Sequence, residues 1–361
     1  MATRSLAVYV SSHGFGHATR VAEVIQRFME RVPGCVVHLR TTAPRWLFAK
    51  SHGKLQLHSV ATDLGMAQPN GLAIDFATTI ARLDELEARW DERLAAEVDW
   101  LREVGAALVL GDVPPLAFAA AARAGVPSVA LANFSWDWLY RSYESRDPRF
   151  TVHAKRAAEC YASARRLYRL PFHAPAPAFA SVVDVPLIAR RCLLTRREAR
   201  RRLGLPVAGP LVLLSFGGFG PPGIDVVRLG EMPGVRFVAT DPYANAPSNL
   251  TCLDRPALDY PTLVRASDVV LTKPGWGILA ASLVNGVRVL YATRDDFPET
   301  PILVRALETY ATAAAIAPEQ VARSEIGKPI ESLLARPVVE TELAATGASR
   351  VAELLAEDLA A

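Results

Sequence analysis

The sequence predicts an α/β protein of two domains, each a parallel sheet doubly wound with helices. Three observations predict it. At 361 residues the chain exceeds the usual size of a single domain core. Short apolar runs alternate with longer helical patterns almost from end to end, which is the signature of βαβ units. The alternation then begins again at Pro210, after a Pro-rich interval, so the chain repeats its own plan.

Ser5 to Val10 is apolar and strand-forming, and Ala18 to Glu30 carries Val21, Val24, Ile25 and Phe28 at helical spacing. The turn between them is VSSHGFGHATR, Val10 to Arg20. Further strands are expected at Cys35 to Thr41, Leu55 to Ser59, Ala107 to Gly111 and Ser128 to Ala132, with one long polar-faced helix over Ile80 to Val104. The interval Pro171 to Pro186 is Pro-rich, and a basic run, Arg190 to Arg202, follows it. Within that run Thr195 and Glu198 form a capping box, and Gly204 and Pro206 stop the helix. Its arginines are read as a solvated face rather than a phosphate patch. The second series of strands is LVLLSFGG, VRFVAT, LTCL, DVVLT and VRVLY. A boundary near Val185 to Arg190 gives domains 1–187 and 188–340. The remaining 341–361, with a helix from Glu340 to Leu359 and no strand after it, is expected to pack back on the first domain.

Composition removes several classes. Hydrophobic residues make up 51% and charged residues 21%, with a formal net charge of +3 and no polybasic tail, which argues against nucleic acid as a partner. Cys35, Cys160, Cys192 and Cys252 lie far apart without metal-ligand spacing, and MATRSLAVYV lacks a signal-peptide layout, so a reducing, cytoplasmic setting is expected. The longest apolar region, Gly105 to Phe134, is broken by Asp112, Pro114, Pro115, Arg123 and Pro127, too often for a span of about 20 apolar residues. No membrane helix is expected. No Asp-x-Asp motif or ligand cluster occurs, although Arg294-Asp295-Asp296 superficially invites one, so no metal is expected.

Ligands of open α/β sheets bind at the carboxyl ends of the strands, where the two imidazoles of the opening turn lie. Three more turns fall at such ends: Gly111-Asp112, Ser215 to Gly220 (SFGGFG), and Thr272 to Gly277 (TKPGWG) before a helix over Ile278 to Asn285. Glycines let the backbone approach an anion, and the N–H groups and dipole of a following helix favour negative charge. Two such turns in one domain point to a diphosphate.

This arrangement resembles the GT-B glycosyltransferases. More narrowly, HGFGHATR, LVLGDVPPLAFAAAARAGVPSVALANFSWDW and TKPGWGILAASLVNGVRVLYATRDDFPETP resemble the glycosyltransferase-like region at the amino-terminal side of plant L-arabinokinases and in stand-alone bacterial relatives. The likeness covers about residues 5 to 330. It implies two Rossmann-like domains facing a cleft, the first for the acceptor and the second for a nucleotide sugar, with closure bringing the His17 turn against the Lys273 turn. It implies transfer of a sugar from a UDP- or dTDP-type donor to a hydroxyl or amine acceptor, with inversion and without a bound cofactor or metal. The sugar-kinase region of those proteins has no counterpart in these residues, and kinase activity is not expected.

Carried over residue by residue, the resemblance makes His17 the base that takes the acceptor proton and Asp112 the carboxylate that orients it. His13 is the competing base, or a phosphate or acceptor contact. Gly14, Gly16, Trp136 and Asp137 fall on the acceptor side, with Trp136 and its neighbours alternatively anchoring a domain interface. The donor side takes Gly217, Gly218, Gly220, Lys273, Gly275, Trp276 and Gly277 for the diphosphate and nucleotide, with Trp276 either beside the nucleotide or capping the core. Arg294, Asp295 and Glu299 are expected at sugar or ribose hydroxyls. One departure stands out: the helix after PGxG usually carries a glutamate for the ribose, and here the position is Ala281. The alternative functions are a nucleotide-sugar epimerase or hydrolase on the same fold, or a non-catalytic nucleotide-sugar-binding protein.

Overall fold

The computed structural model describes residues 4–49, 54–217, 223–255 and 258–361. The chain divides into two compact units: Met1–Ala67, Asp75–Ile188 and Thr346–Ala361 form the first, and Gln68–Ile74 and Ala189–Ala345 the second. Among the described residues no helix is long and apolar enough to cross a membrane.

The first unit is built on a sheet of seven strands: β1 (Ser5–Val10), β2 (Val36–Arg40), β3 (Leu55–His58), β4 (Ala106–Asp112), β5 (Ser128–Ala132), β6 (Arg166–Arg169) and β7 (Val182–Asp184). Their order is β3-β2-β1-β4-β5-β6-β7, every pairing parallel. Helices cover both faces, so the whole of β1 is buried and reads as a continuous apolar run. Chain order reverses between β1 and β4, the point at which open α/β sheets place their ligand crevice. On one face the helix Phe15–Arg31 packs Val21, Val24, Ile25 and Phe28 into a core shared with Val351, Leu354 and Leu355 of the last helix, Gly347–Ala360. That helix starts at Gly347 rather than Glu340. A Cβ at position 347 would lie 2.1 Å from the Pro186 carbonyl oxygen, so the approach requires glycine.

The second unit repeats the plan with six strands: β8 (Leu211–Ser215), β9 (Arg236–Ala239), β10 (Leu250–Cys252), β11 (Val269–Thr272), β12 (Arg288–Ala292) and β13 (Ala313–Ile316). They run parallel in the order β10-β9-β8-β11-β12-β13, with the reversal between β8 and β11.

Several elements differ from expectation. The expected long helix is two, Phe76–Ala88 and Trp90–Glu103, broken at Arg89, where φ is −108° and ψ 14°. Neither glycine nor proline marks the break. Asp75 caps the first helix by accepting the Thr78 N–H at 2.9 Å, and Asp91 and Glu92 meet the positive end of the second. The Thr195–Glu198 capping box forms as read, but the basic helix Arg196–Arg202 is only partly a solvated face. Arg200 is buried, donating to Asp268 and to the carbonyls of Ala266 and Gly209, while Arg196 donates to the carbonyl of Ser267. Those two arginines are internal fasteners, their donors meeting the carbonyls that end the helix Tyr260–Ala266.

Candidate active site

In the first unit, the turn after β1 and the end of β4 meet at the point of reversal, tied by the Ser11 N–H donating to the Asp112 carbonyl at 3.1 Å. Gly14 enters the helix at φ 77°, a left-handed conformation that suits glycine. His17 follows in the first helical turn and is buried, its Nδ1 2.8 Å from Oδ1 of Asp112. Asp112, the last residue of β4, has no exposed surface. Arg20, one helical turn beyond His17, grips the same carboxylate from the side: Nε donates to Oδ2 at 2.6 Å and Nη2 to Oδ1 at 2.5 Å. Its Nη2 also stands 3.0 Å from His17 Nδ1, and its Nη1 donates to Asn133 Oδ1 at 2.5 Å. Burial pushes the Asp112 carboxyl up, but the charges and hydrogen bonds of Arg20 and His17 outweigh it and hold the group below the usual carboxylate range.

The residue after Asp112 is strained. Val113 has φ 73°, a region that a β-branched side chain rarely enters, and its carbonyl accepts the Tyr161 hydroxyl at 2.7 Å. The strain sits between Asp112 and the Pro114-Pro115 start of a helix.

His13 lies on the other side of the turn. Its N–H donates to Ser11 Oγ at 3.2 Å, and its ring meets Trp136 edge-on at 5.7 Å. Trp136 is enclosed, 1% exposed, stacked on Tyr140 at 5.7 Å and donating its indole N–H to Asp63 at 2.9 Å. Asp63 also accepts the Ser11 hydroxyl at 3.0 Å, and burial pushes its carboxyl up. The indole face is therefore occupied by protein, and Trp136 holds the His13 turn. Asp137 is buried with Oδ1 lacking a hydrogen-bond partner among the described residues, and burial raises its carboxyl too. At Gly16 a Cβ would meet nothing within 4 Å among the described residues, so no close contact there demands glycine.

In the second unit the corresponding reversal joins the ends of β8 and β11, where Thr272 Oγ1 donates to the Ser215 carbonyl at 2.6 Å. Gly217 turns at φ 75°; Gly218 and Gly220 lie outside the described residues. The helix Trp276–Asn285 opens at Gly275 with no side-chain cap, Trp276 and the exposed Gly277 filling its first turn. Lys273 is depressed to about 7 by burial and then by the charge of Arg294, with Glu299 opposing. Arg294 donates to the Pro274 carbonyl at 2.5 Å, lies over the Phe297 ring at 3.9 Å, and stands 3.5 Å from Glu299 Oε1. Among the described residues Glu299 Oε2 is buried without a hydrogen-bond partner, whereas Asp295 is exposed. Ala281 is half-buried, its carbonyl accepting the Asn285 amide at 2.8 Å.

One element of this half escaped the sequence reading. The segment Gln68–Ile74 leaves the first unit between β3 and the helix at Phe76 and belongs to the second, where Leu72 packs on the core around Phe216. A Cβ at Gly71 would lie 2.9 Å from Lys273 Cδ. Arg20, Asn133, Asp63 and Gly65 were missed as well. Arg20 alone carried a signal, standing one helical turn from His17 on the same face. Among the described residues no three His, Cys, Asp or Glu side chains converge to hold a metal ion.

No protein-family model matches the chain. L-arabinokinase of Arabidopsis thaliana is 35% identical over 310 residues, which are 84% of this chain and 30% of that protein. The chain thus spans less than a third of that relative. Among solved structures, the glycotransferase of kitacinnamycin is 17% identical with a TM-score of 0.69, covering 99% of this chain and 100% of that one. Arabidopsis thaliana UGT89C1 complexed with UDP is 15% identical with a TM-score of 0.61, covering 99% and 100%. The chain therefore has the GT-B glycosyltransferase fold, and in sequence it is similar to one part of L-arabinokinase.

Proposed function

We propose that the protein transfers a sugar from a nucleoside diphosphate sugar of UDP or dTDP type to a hydroxyl or amine of a small acceptor, with inversion at the anomeric carbon. The observation that carries this reading is the buried contact between His17 Nδ1 and Asp112 at the reversal point of the first sheet. Ionised Asp112 accepts the Nδ1 proton and so selects the tautomer whose Nε2 has a lone pair. Nε2 then takes the acceptor proton as the new glycosidic bond forms and the bond to the diphosphate breaks.

The second unit takes the donor. The Lys273 ammonium, the Gly275 turn and the uncapped start of the helix Trp276–Asn285 bind the departing diphosphate as its charge develops. Arg294 fixes that turn through the Pro274 carbonyl, and the unpartnered oxygen of Glu299 accepts a donor hydroxyl, a role that Ala281 leaves open. The UDP bound in a full-length structural neighbour supports the donor class.

Incubation with a panel of nucleotide sugars, with and without acceptors, tests the reading through free nucleotide. Release that requires an acceptor is expected. Release without one would make the protein a hydrolase, and binding without release a sensor.

A further inference from the structure

We propose that Arg20 is a positioning residue of this transfer, the counter-cation that keeps the buried His17–Asp112 pair from holding an extra proton. The inference rests on the reading of His17 as the base. Burial and geometry both suit Arg20 to this role. Its side chain is 10% exposed against 0% for Asp112, and its fork meets both carboxylate oxygens. A third nitrogen is pinned by Asn133, whose own amide donates to the Pro171 carbonyl at 2.7 Å, so the guanidinium cannot swing away.

Charge balance gives the consequence. With Arg20 present, its guanidinium, ionised Asp112 and neutral His17 sum to zero. The other groups facing the pair do not replace that cation. Asp63, from the loop after β3, acts on both members with negative charge when ionised; Phe134 meets the His17 ring edge-on at 5.8 Å; Asn133 is uncharged; and His13 is turned to Trp136. Without Arg20 a buried carboxylate would be left with a neutral imidazole, and the pair would take one proton from water. An imidazolium has no free nitrogen for the acceptor proton, and a neutral carboxyl no longer stabilises the imidazolium that forms, so in either form the pair is a poorer base. The depressed carboxyl of Asp112 agrees, since Arg20 is the largest of the influences that lower it.

The test compares wild type with Arg20→Met and Arg20→Lys. The acid limb of kcat/KM should move to higher pH by about one unit or more in Arg20→Met and stay near its place in Arg20→Lys, which keeps the charge. An unmoved limb in Arg20→Met would overturn the proposal. A second readout needs no activity: if the folded variant carries the extra proton, the gap in denaturation midpoint between Arg20→Met and wild type widens as pH rises from 6 to 8. A gap independent of pH would contradict this, whatever the protein transfers. Should Arg20→Met fail to fold, the double variant Arg20→Met with Asp112→Asn removes the stranded charge and is expected to fold. Its failure would show that Arg20 serves packing and not charge.

Discussion

The imidazole of His13 occupies the space that a side chain at Gly65 would need: a Cβ there would lie 2.3 Å from His13 Nδ1. Gly65 itself has φ +64°, so both its missing side chain and its left-handed backbone serve the seat of His13. Gly65→Ala is expected to cost about 1–2 kcal/mol from the backbone alone and to push His13 off Trp136. Chemical denaturation measures the first effect. Transfer falling while UDP binding holds would report the second; unchanged transfer would remove His13 from the acceptor side.

Lys273 makes the second unit sensitive to pH in a defined direction. Its folded value of about 7 lies below its ordinary 10.5, so between those limits the unfolded chain binds more protons than the folded one. Stability of the ligand-free protein should therefore rise with pH through that window, and Lys273→Met should flatten this contribution. Diphosphate binding should show the opposite slope, weakening as pH rises through 7 and the ammonium is lost. Calorimetric titration with UDP at pH 6 and 8.5 checks this, and equal affinities in wild type would contradict the role given to Lys273.

Tyr161 secures the strained turn beside Asp112. Tyr161→Phe removes the hydroxyl that the buried Val113 carbonyl accepts and is expected to cost about 1–3 kcal/mol. If the strain aims the carboxylate, kcat falls in this variant with little change in KM for the donor. A stability loss with kcat intact would reduce Tyr161 to a packing role.

What the sequence revealed and what it hid follow from the range of the interactions. The central strands were legible because burial on both faces makes them unbroken apolar runs, as in β1 and β8. The strands β6, β7 and β13 were not, because charged residues end the short apolar pieces of β6 (RLYR) and β7 (VVD) and β13 is a run of alanines (AAAI), which are not strand formers. His17 and Asp112 could be paired in advance because both end central strands or open the next helix, where topology dictates proximity. Asp63 could not, since it sits in an aperiodic loop and reaches Ser11 and Trp136 only through the fold. The excursion Gln68–Ile74 was hidden for the same reason: short, led by Pro and Gly and without periodicity, it gives no local sign of the core on which Leu72 packs.

The central claim is that His17, oriented by Asp112, is the base of a sugar transfer. Its most direct test is the rate of acceptor-dependent nucleotide release by His17→Ala against wild type, with UDP affinity measured on the same samples. The account predicts a loss of about 10²–10⁴ in kcat with UDP affinity unchanged. Undiminished transfer by a folded His17→Ala would contradict it.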